Sequence, residues 1–342
     1  LGIQKEQRLY KNIKITLNWL IGPALFGWLT WALWQKLSAI PDLPRHMRAL
    51  HSVFDGEGME QFAAIGLLTF FNWSAESWKW QWALQHLCRL PFVQAVRSVL
   101  AGVALSVVTP NRIGEYGGRI LFLPEGSRLQ AVPLSMLGGL VQLLVTLLAG
   151  VLACLQPGPA LINTLSKVGL NEGILPLIQI LTMIFIVICL LLMAQMKALL
   201  LILCRWPLTA RAASYFPALS EISARQWGAL ISLSMARYLI FIVQYVLMLQ
   251  VMGVEIGWAA GCRAVAVFFF LMTVVPSIAI LELGMRWQLS ILVFGAFSPD
   301  ILAICAASTG IWLINLALPA LTGTCLMLGW RIRLQRHEDR RE

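Results

Sequence analysis

Apolar residues in this chain fall in long runs separated by short polar stretches. Runs near 15–37, 61–84, 131–155, 173–196, 227–251 and 301–328 each reach the roughly 20 residues that a bilayer core requires. Each is read as a transmembrane helix. Two further runs are interrupted. As a helix, Ser98–Thr109 rises about 18 Å against a hydrocarbon core of about 30 Å, so it cannot cross. Arg89 and Arg97 precede it and Arg112, Arg119 and Arg128 follow it, which places both ends on the same side. Proline disfavours helix in the residue before it, so Pro110 predicts the turn of a re-entrant hairpin over 98–123. A second broken hairpin over 258–297 turns at Pro276. Irregular backbone at membrane depth is tolerated only where protein covers it or it lines water. The pattern therefore predicts a cavity.

Composition agrees with this reading. The 342 residues are 59% hydrophobic and 12% charged, with mean hydropathy +0.77, whereas soluble domains carry about 25% charged residues. The expectation is an all-α polytopic membrane protein with no soluble domain of useful size. The run starting near Ile15 is longer than a signal-peptide core and lacks a small-residue cleavage pattern, so it is expected to remain as an anchor. A net charge of +10 invites a nucleic-acid partner, but the basic residues sit beside the spans as the positive-inside rule describes. Lys5, Arg8, Lys11 and Lys14 precede the first span, Lys197, Arg205, Arg211 and Arg225 mark an inner loop, and Arg331, Arg333, Arg336, Arg340 and Arg341 form a tail.

This distribution predicts a membrane protein with both termini cytoplasmic, six full crossings and two hairpins. Residues 1–166 form a first repeat, 167–330 a second, and 331–342 a basic cytoplasmic tail. Three crossings per half invert the second repeat relative to the first. Inverted repeats of this kind build secondary transporters, in which broken helices form the substrate site near the midplane.

The two breaks share a motif: Glu115-Tyr116-Gly117-Gly118-Arg119 and Glu282-Leu283-Gly284-Met285-Arg286. Glu and Arg four apart lie on one helical face in the favourable order for an ion pair. A charge near the bilayer centre costs at least about 2.5 kcal/mol, so two such pairs require a reason. They are either structural staples or part of a site, and duplication at a break favours the site. Arg112, Arg119, Arg237 and Arg286 would then face an anionic group such as phosphate, Glu115 and Glu282 would hold a cation or proton, and Pro110, Gly114, Gly117, Pro276 and Gly284 would form the breaks. Arg237 lies mid-span, too far from an end to snorkel, and Glu282 or Glu115 is its expected partner. Ser234 and Gln244 extend its polar stripe. Asn72, Glu76 and Lys79 are read as an interfacial stripe, with Trp73, Trp78, Trp80 and Trp82 as interfacial anchors. Asn18, Gln142 and Asn315 are read as interhelical amides.

Seven scattered cysteines without a C-x-x-C and four histidines in polar flanks predict no metal, no disulfide and no His-based catalysis in the membrane. The glycines of 111–118 lack phosphate-loop spacing, so neither nucleotide nor other cofactor is expected.

At these motifs the chain resembles the lysylphosphatidylglycerol synthase transmembrane-region family, the flippase-like membrane half of bacterial enzymes that make and translocate aminoacylated phosphatidylglycerol. Pro110, Gly114, Glu115 and Arg119 match the break of its first half, and Pro276 and Glu282 that of its second. Asn111 and Ser277–Ile280 depart from the glycines usual there, which implies a stiffer second hairpin. In two-part members a soluble aminoacyl-transferase domain follows; here residues 331–342 are the sequence past the last span, so the expectation is a stand-alone member. The resemblance implies a transporter of the bacterial inner membrane rather than an enzyme, moving an anionic or zwitterionic lipid headgroup, aminoacylated lipids included, through a polar cavity between inverted repeats. Its partners would be membrane lipid and either a second copy or a separate lipid synthase. Two alternatives stay open: a membrane-embedded headgroup transferase with Glu115 or Glu282 as base, and a non-transporting scaffold for a separate synthase.

Overall fold

A computed structural model describes residues 58–109, 112–155, 174–195, 217–274 and 282–338. The first span at 15–37, Asn18, the breaks' Pro110 and Pro276, the inner-loop Lys197, Arg205 and Arg211, and the tail beyond 338 lie outside the described residues. Among the described residues the secondary structure is helical throughout. The principal helices are α1 (Gly58–Leu84), α2 (Phe92–Val108), α3 (Gly114–Ile120), α4 (Arg128–Leu155), α5 (Ile174–Ala194), α6 (Pro217–Ser220), α7 (Ala224–Val251), α8 (Trp258–Val274), α9 (Glu282–Phe294), α10 (Ile301–Trp312) and α11 (Leu318–Glu338). Arg128–Leu155, Ala224–Val251 and Ile301–Leu328 are long and apolar enough to cross a membrane. Helix α5 turns Leu181, Ile184, Ile188 and Leu191 outward, each about half exposed. Such a surface suits lipid better than water.

Local sequence sets several boundaries. Ser223 and Gln226 close a capping box at the start of α7, and Asp300 accepts from Ala303 N at 3.0 Å at the start of α10. Between α10 and α11 the rod continues through a π-helical turn, Leu313–Ala317. Pro319 supplies the physical reason. It has no N–H to offer the carbonyl of Asn315, and its ring crowds that group, so the preceding turn widens. The expected tail after 330 is helical as far as Glu338.

The first break differs from expectation in where it begins. Helix α2 starts six residues before Ser98, and its 17 residues rise about 25 Å, so Arg97 lies inside it. Thr109 ends it in extended conformation (φ −115°, ψ 142°), and Arg112 has φ 56°. That left-handed geometry costs an L-residue about 1–2 kcal/mol. The Thr109 hydroxyl donates to Leu105 O at 2.9 Å and accepts from Gly114 N at 2.8 Å, tying the two helices together. Helix α3 then folds back so tightly that a Cβ on Gly118 would overlap the Ala101 carbonyl, and one on Gly114 that of Leu105. Only glycine fits there.

Helices α1 and α7 form the centre. Gln244 donates to Ile65 O and Thr69 Oγ1, Arg237 to Asn72, and Gln226 to Trp82 O. Because the numbering rises along one helix as it falls along the other, the two run antiparallel. Around them α2 packs on α11 and α8 packs on α4. The largest apolar core gathers Tyr245, Phe268, Phe270 and Phe294 with α4 and α10.

Candidate functional site

The α1–α7 contact buries a charged network centred on Glu76. This carboxylate is 3% exposed and accepts from Lys79 at 2.8 Å, from Arg119 at 2.6 Å and from Arg237. Arg119 also pairs with Glu115, whose side chain is 28% exposed. Arg237 Nε donates to Asn72 Oδ1 at 2.9 Å and its Nη1 to Gln142 Oε1 at 3.3 Å. Lys79 reaches the same Gln142 oxygen at 3.4 Å. Gln142 donates to Ser234 O at 3.2 Å and Asn72 to Asn315 Oδ1 at 3.2 Å. Side chains of α1, α3, α4, α7 and the π-helical turn thus meet in one network. Lys79, Arg119 and Arg237 face Glu76 and Glu115, so the network itself carries one more positive than negative charge.

Aromatic rings and a serine hold these cations. The Arg119 guanidinium lies 5.6 Å from the centre of the Trp80 ring, and that of Arg237 lies 5.6 Å from Phe241 and 6.0 Å from Trp73. Such contacts strengthen when desolvated. Ser98 accepts from Trp80 Nε1 at 2.9 Å and donates to the Arg119 carbonyl. Single-partner removal from a buried pair is costly because it strands the other charge. This network therefore fixes how α1, α3 and α7 meet.

Beside it lies a cavity of about 240 Å³ whose polar wall includes Arg112, Gln142, Tyr238, Thr273, Arg286 and Asn315. Arg112 comes from the first break and Arg286 from the first turns of α9, just after the second. Gln142 and Asn315 belong both to the wall and to the charged network. Asn315 Nδ2 is buried without a hydrogen-bond partner among the described residues, and it belongs to the widened turn caused by Pro319. Irregular turns of this kind often mark functional sites.

Several expectations from sequence change here. Arg237 takes Glu76 as its carboxylate instead of the expected Glu115 or Glu282, because antiparallel packing sets Asn72 and Glu76 at its level. Glu76 and Lys79 are 3% and 2% exposed rather than interfacial. Trp80 is 1% exposed and part of the core, whereas Trp78 is half exposed. Arg119 and Arg237 are 5% and 8% exposed and held in ion pairs, and neither they nor Glu115 is among the residues lining the cavity. Gly117 and Gly284 sit on exposed faces inside α3 and α9, with room for a Cβ at each, while Gly114 is at a close approach. The side chain of Glu282 lies outside the described residues.

Gln142 and Asn315 make the interhelical bonds expected of them, and also face the cavity. The signal that could have found Glu76 is its spacing: Asn72, Glu76 and Lys79 occupy one stripe of a helix with both acidic and basic members. No protein-family model matches the chain, and no curated protein matches it significantly.

Proposed function

We propose that the chain is a lipid transporter of the bacterial inner membrane, resembling the lysylphosphatidylglycerol synthase transmembrane region, in which an anionic or zwitterionic headgroup passes through the polar cavity. The observation that carries this reading is the pair Arg112, from the first break, and Arg286, from the start of α9, on the wall of one cavity. Guanidinium suits phosphate because its fork of donors matches the oxygens. The buried network behind Gln142 and Asn315 supports the cavity's polar face and adds to its positive field.

The same reading takes residues 1–166 and 167–330 as inverted repeats with six crossings and both termini cytoplasmic. Two features support it. Helices α1 and α7, which hold corresponding places before the breaks, run antiparallel as inversion requires. The first broken helix α2 packs on α11 of the other half, and the second, α8, packs on α4 of the first. Each half thus packs on the helix that leads into the other's break.

The test is translocation of headgroup-labelled phosphatidylglycerol in proteoliposomes. Arg112→Gln with Arg286→Gln is expected to slow transport at least about tenfold, the loss of one charge-assisted contact, while the protein stays folded. Transport by that double variant at the wild-type rate would remove the proposal.

A further inference from the structure

The polar cavity is too small for a whole lipid: about 240 Å³, below the roughly 300–1,000 Å³ of ordinary small-molecule sites. A second, apolar groove of about 360 Å³ adjoins it, lined by Leu143 and Leu147 of α4, Ile178, Leu181 and Phe185 of α5, and the end of α8. Thr273 lines both. On α4 the two spaces are served by adjacent stripes, Gln142 and Thr146 toward the cavity, Leu143 and Leu147 toward the groove. Residues four apart on a helix share a face, so the change from polar to apolar occurs across one helix surface. On α5 the groove residues recur at the same helical spacing, with Leu181 57% and Phe185 45% exposed.

We infer that this groove is an acyl-chain subsite, holding a tail of an anionic membrane lipid while its headgroup sits against Arg112 and Arg286. The inference rests on the proposed transport reading for its ligand but assigns a second, distinct part of the site. Its occupant follows from the juxtaposition. Arginines line one compartment, aliphatic and aromatic side chains the next, and a single threonine joins them, so a molecule filling both must be charged at one end and hydrocarbon at the other. A soluble anion would leave the apolar groove empty, and an uncharged hydrocarbon would leave the polar compartment unfilled.

The experiment uses the full chain in phosphatidylcholine nanodiscs containing a little phosphatidylglycerol with a photoreactive group near the end of one tail. Labelled positions are read by peptide mass spectrometry. Labelling is expected to concentrate on Leu143, Leu147, Leu181 and Phe185, and to fall about tenfold in the Arg112→Gln/Arg286→Gln double variant, the loss of about one charge-assisted anchor. Labelling spread evenly over exposed apolar positions such as Leu67 and Leu239, or indifferent to the double substitution, overturns the subsite and leaves only general lipid contact. A second variant, Leu181→Trp, narrows the groove from its exposed side. It is expected to slow translocation of long-chain phosphatidylglycerol relative to the dihexanoyl form, and equal slowing of both overturns the subsite while leaving transport intact. Arginine-dependent labelling in the groove without any translocation supports the subsite and overturns the transport reading.

Discussion

In the first break Arg119 is turned inward, 5% exposed between Glu76 and Glu115, whereas Arg286, at the same place in the second Glu-x-Gly-x-Arg, lines the cavity. The motif's own glycines, Gly117 and Gly284, are alike in having nothing within 4 Å, but Gly118, where the second copy has Met285, is pressed against α2, and an added Cβ there would overlap the Ala101 carbonyl. One copy of the motif has become a packing joint, held by ion pairs and backbone contact. The other presents its arginine to the cavity. Equal spacing in sequence therefore does not imply equal roles, because each arginine is placed by the helices around it. For Arg119 the decisive neighbour is Glu76 on α1, a residue outside both motifs.

The largest effect that could break this contrast is at Glu76. Glu76→Gln leaves Lys79, Arg119 and Arg237 without their shared carboxylate, and loss of one partner from a buried ion network costs about 3–5 kcal/mol. The thermal unfolding midpoint in detergent should fall sharply, or the protein should fail to accumulate folded. An unchanged midpoint would mean the network is not what joins α1, α3 and α7. Next, Arg119→Gln and Arg286→Gln should separate. The first removes charged hydrogen bonds worth about 1.5–3 kcal/mol each and should lower the midpoint. The second should lower it less and weaken binding of phosphatidylglycerol, measured by retention in native mass spectrometry. Equal loss of stability in both would erase the distinction between joint and site.

The smallest effects come from the glycines. Gly118→Ala forces α2 and α3 apart and should cost about 1–3 kcal/mol, the usual range for overpacking. Gly284→Ala, in an exposed helical position, should be neutral or stabilise by up to about 1 kcal/mol. Paired unfolding curves read both, and a destabilising Gly284→Ala would show that Gly284 is packed against a neighbour.

Much of the helical outline is legible from run length alone. The apolar runs near 131–155 and 227–251 correspond to helices within a few residues, and that near 301–328 to a helical rod that runs on to Glu338, because about 20 apolar residues in a row have few alternatives to a spanning helix. The interruption near Pro110 is legible too, as is the pairing of Glu115 with Arg119, since both are local: a proline acts on its neighbour and residues four apart share a face. The start of α2 is harder to place because Arg97 reads as a boundary, although a helix accepts an arginine when the surroundings do. The π-helical turn does have a local signal, Pro319, which the apolar run around it conceals.

Partner choice is the part that local pattern does not supply. Arg237 is 161 residues from Glu76, and a buried cation takes whichever carboxylate packing brings to its level; sequence spacing favours Glu115 or Glu282 only because they belong to a motif. The sequence by itself determined where the long helices run, that one breaks near Pro110 and that charges had to be buried among them, since length, proline and the cost of dehydrating a charge act along or at a single segment. Only the tertiary structure decided that Glu76 is the hub, that Arg119 and Arg286 diverge, and that polar and apolar spaces meet at Thr273. Those outcomes depend on which helix faces which, and the antiparallel contact of α1 with α7 is set by the summed packing of both surfaces rather than by any one stretch of chain.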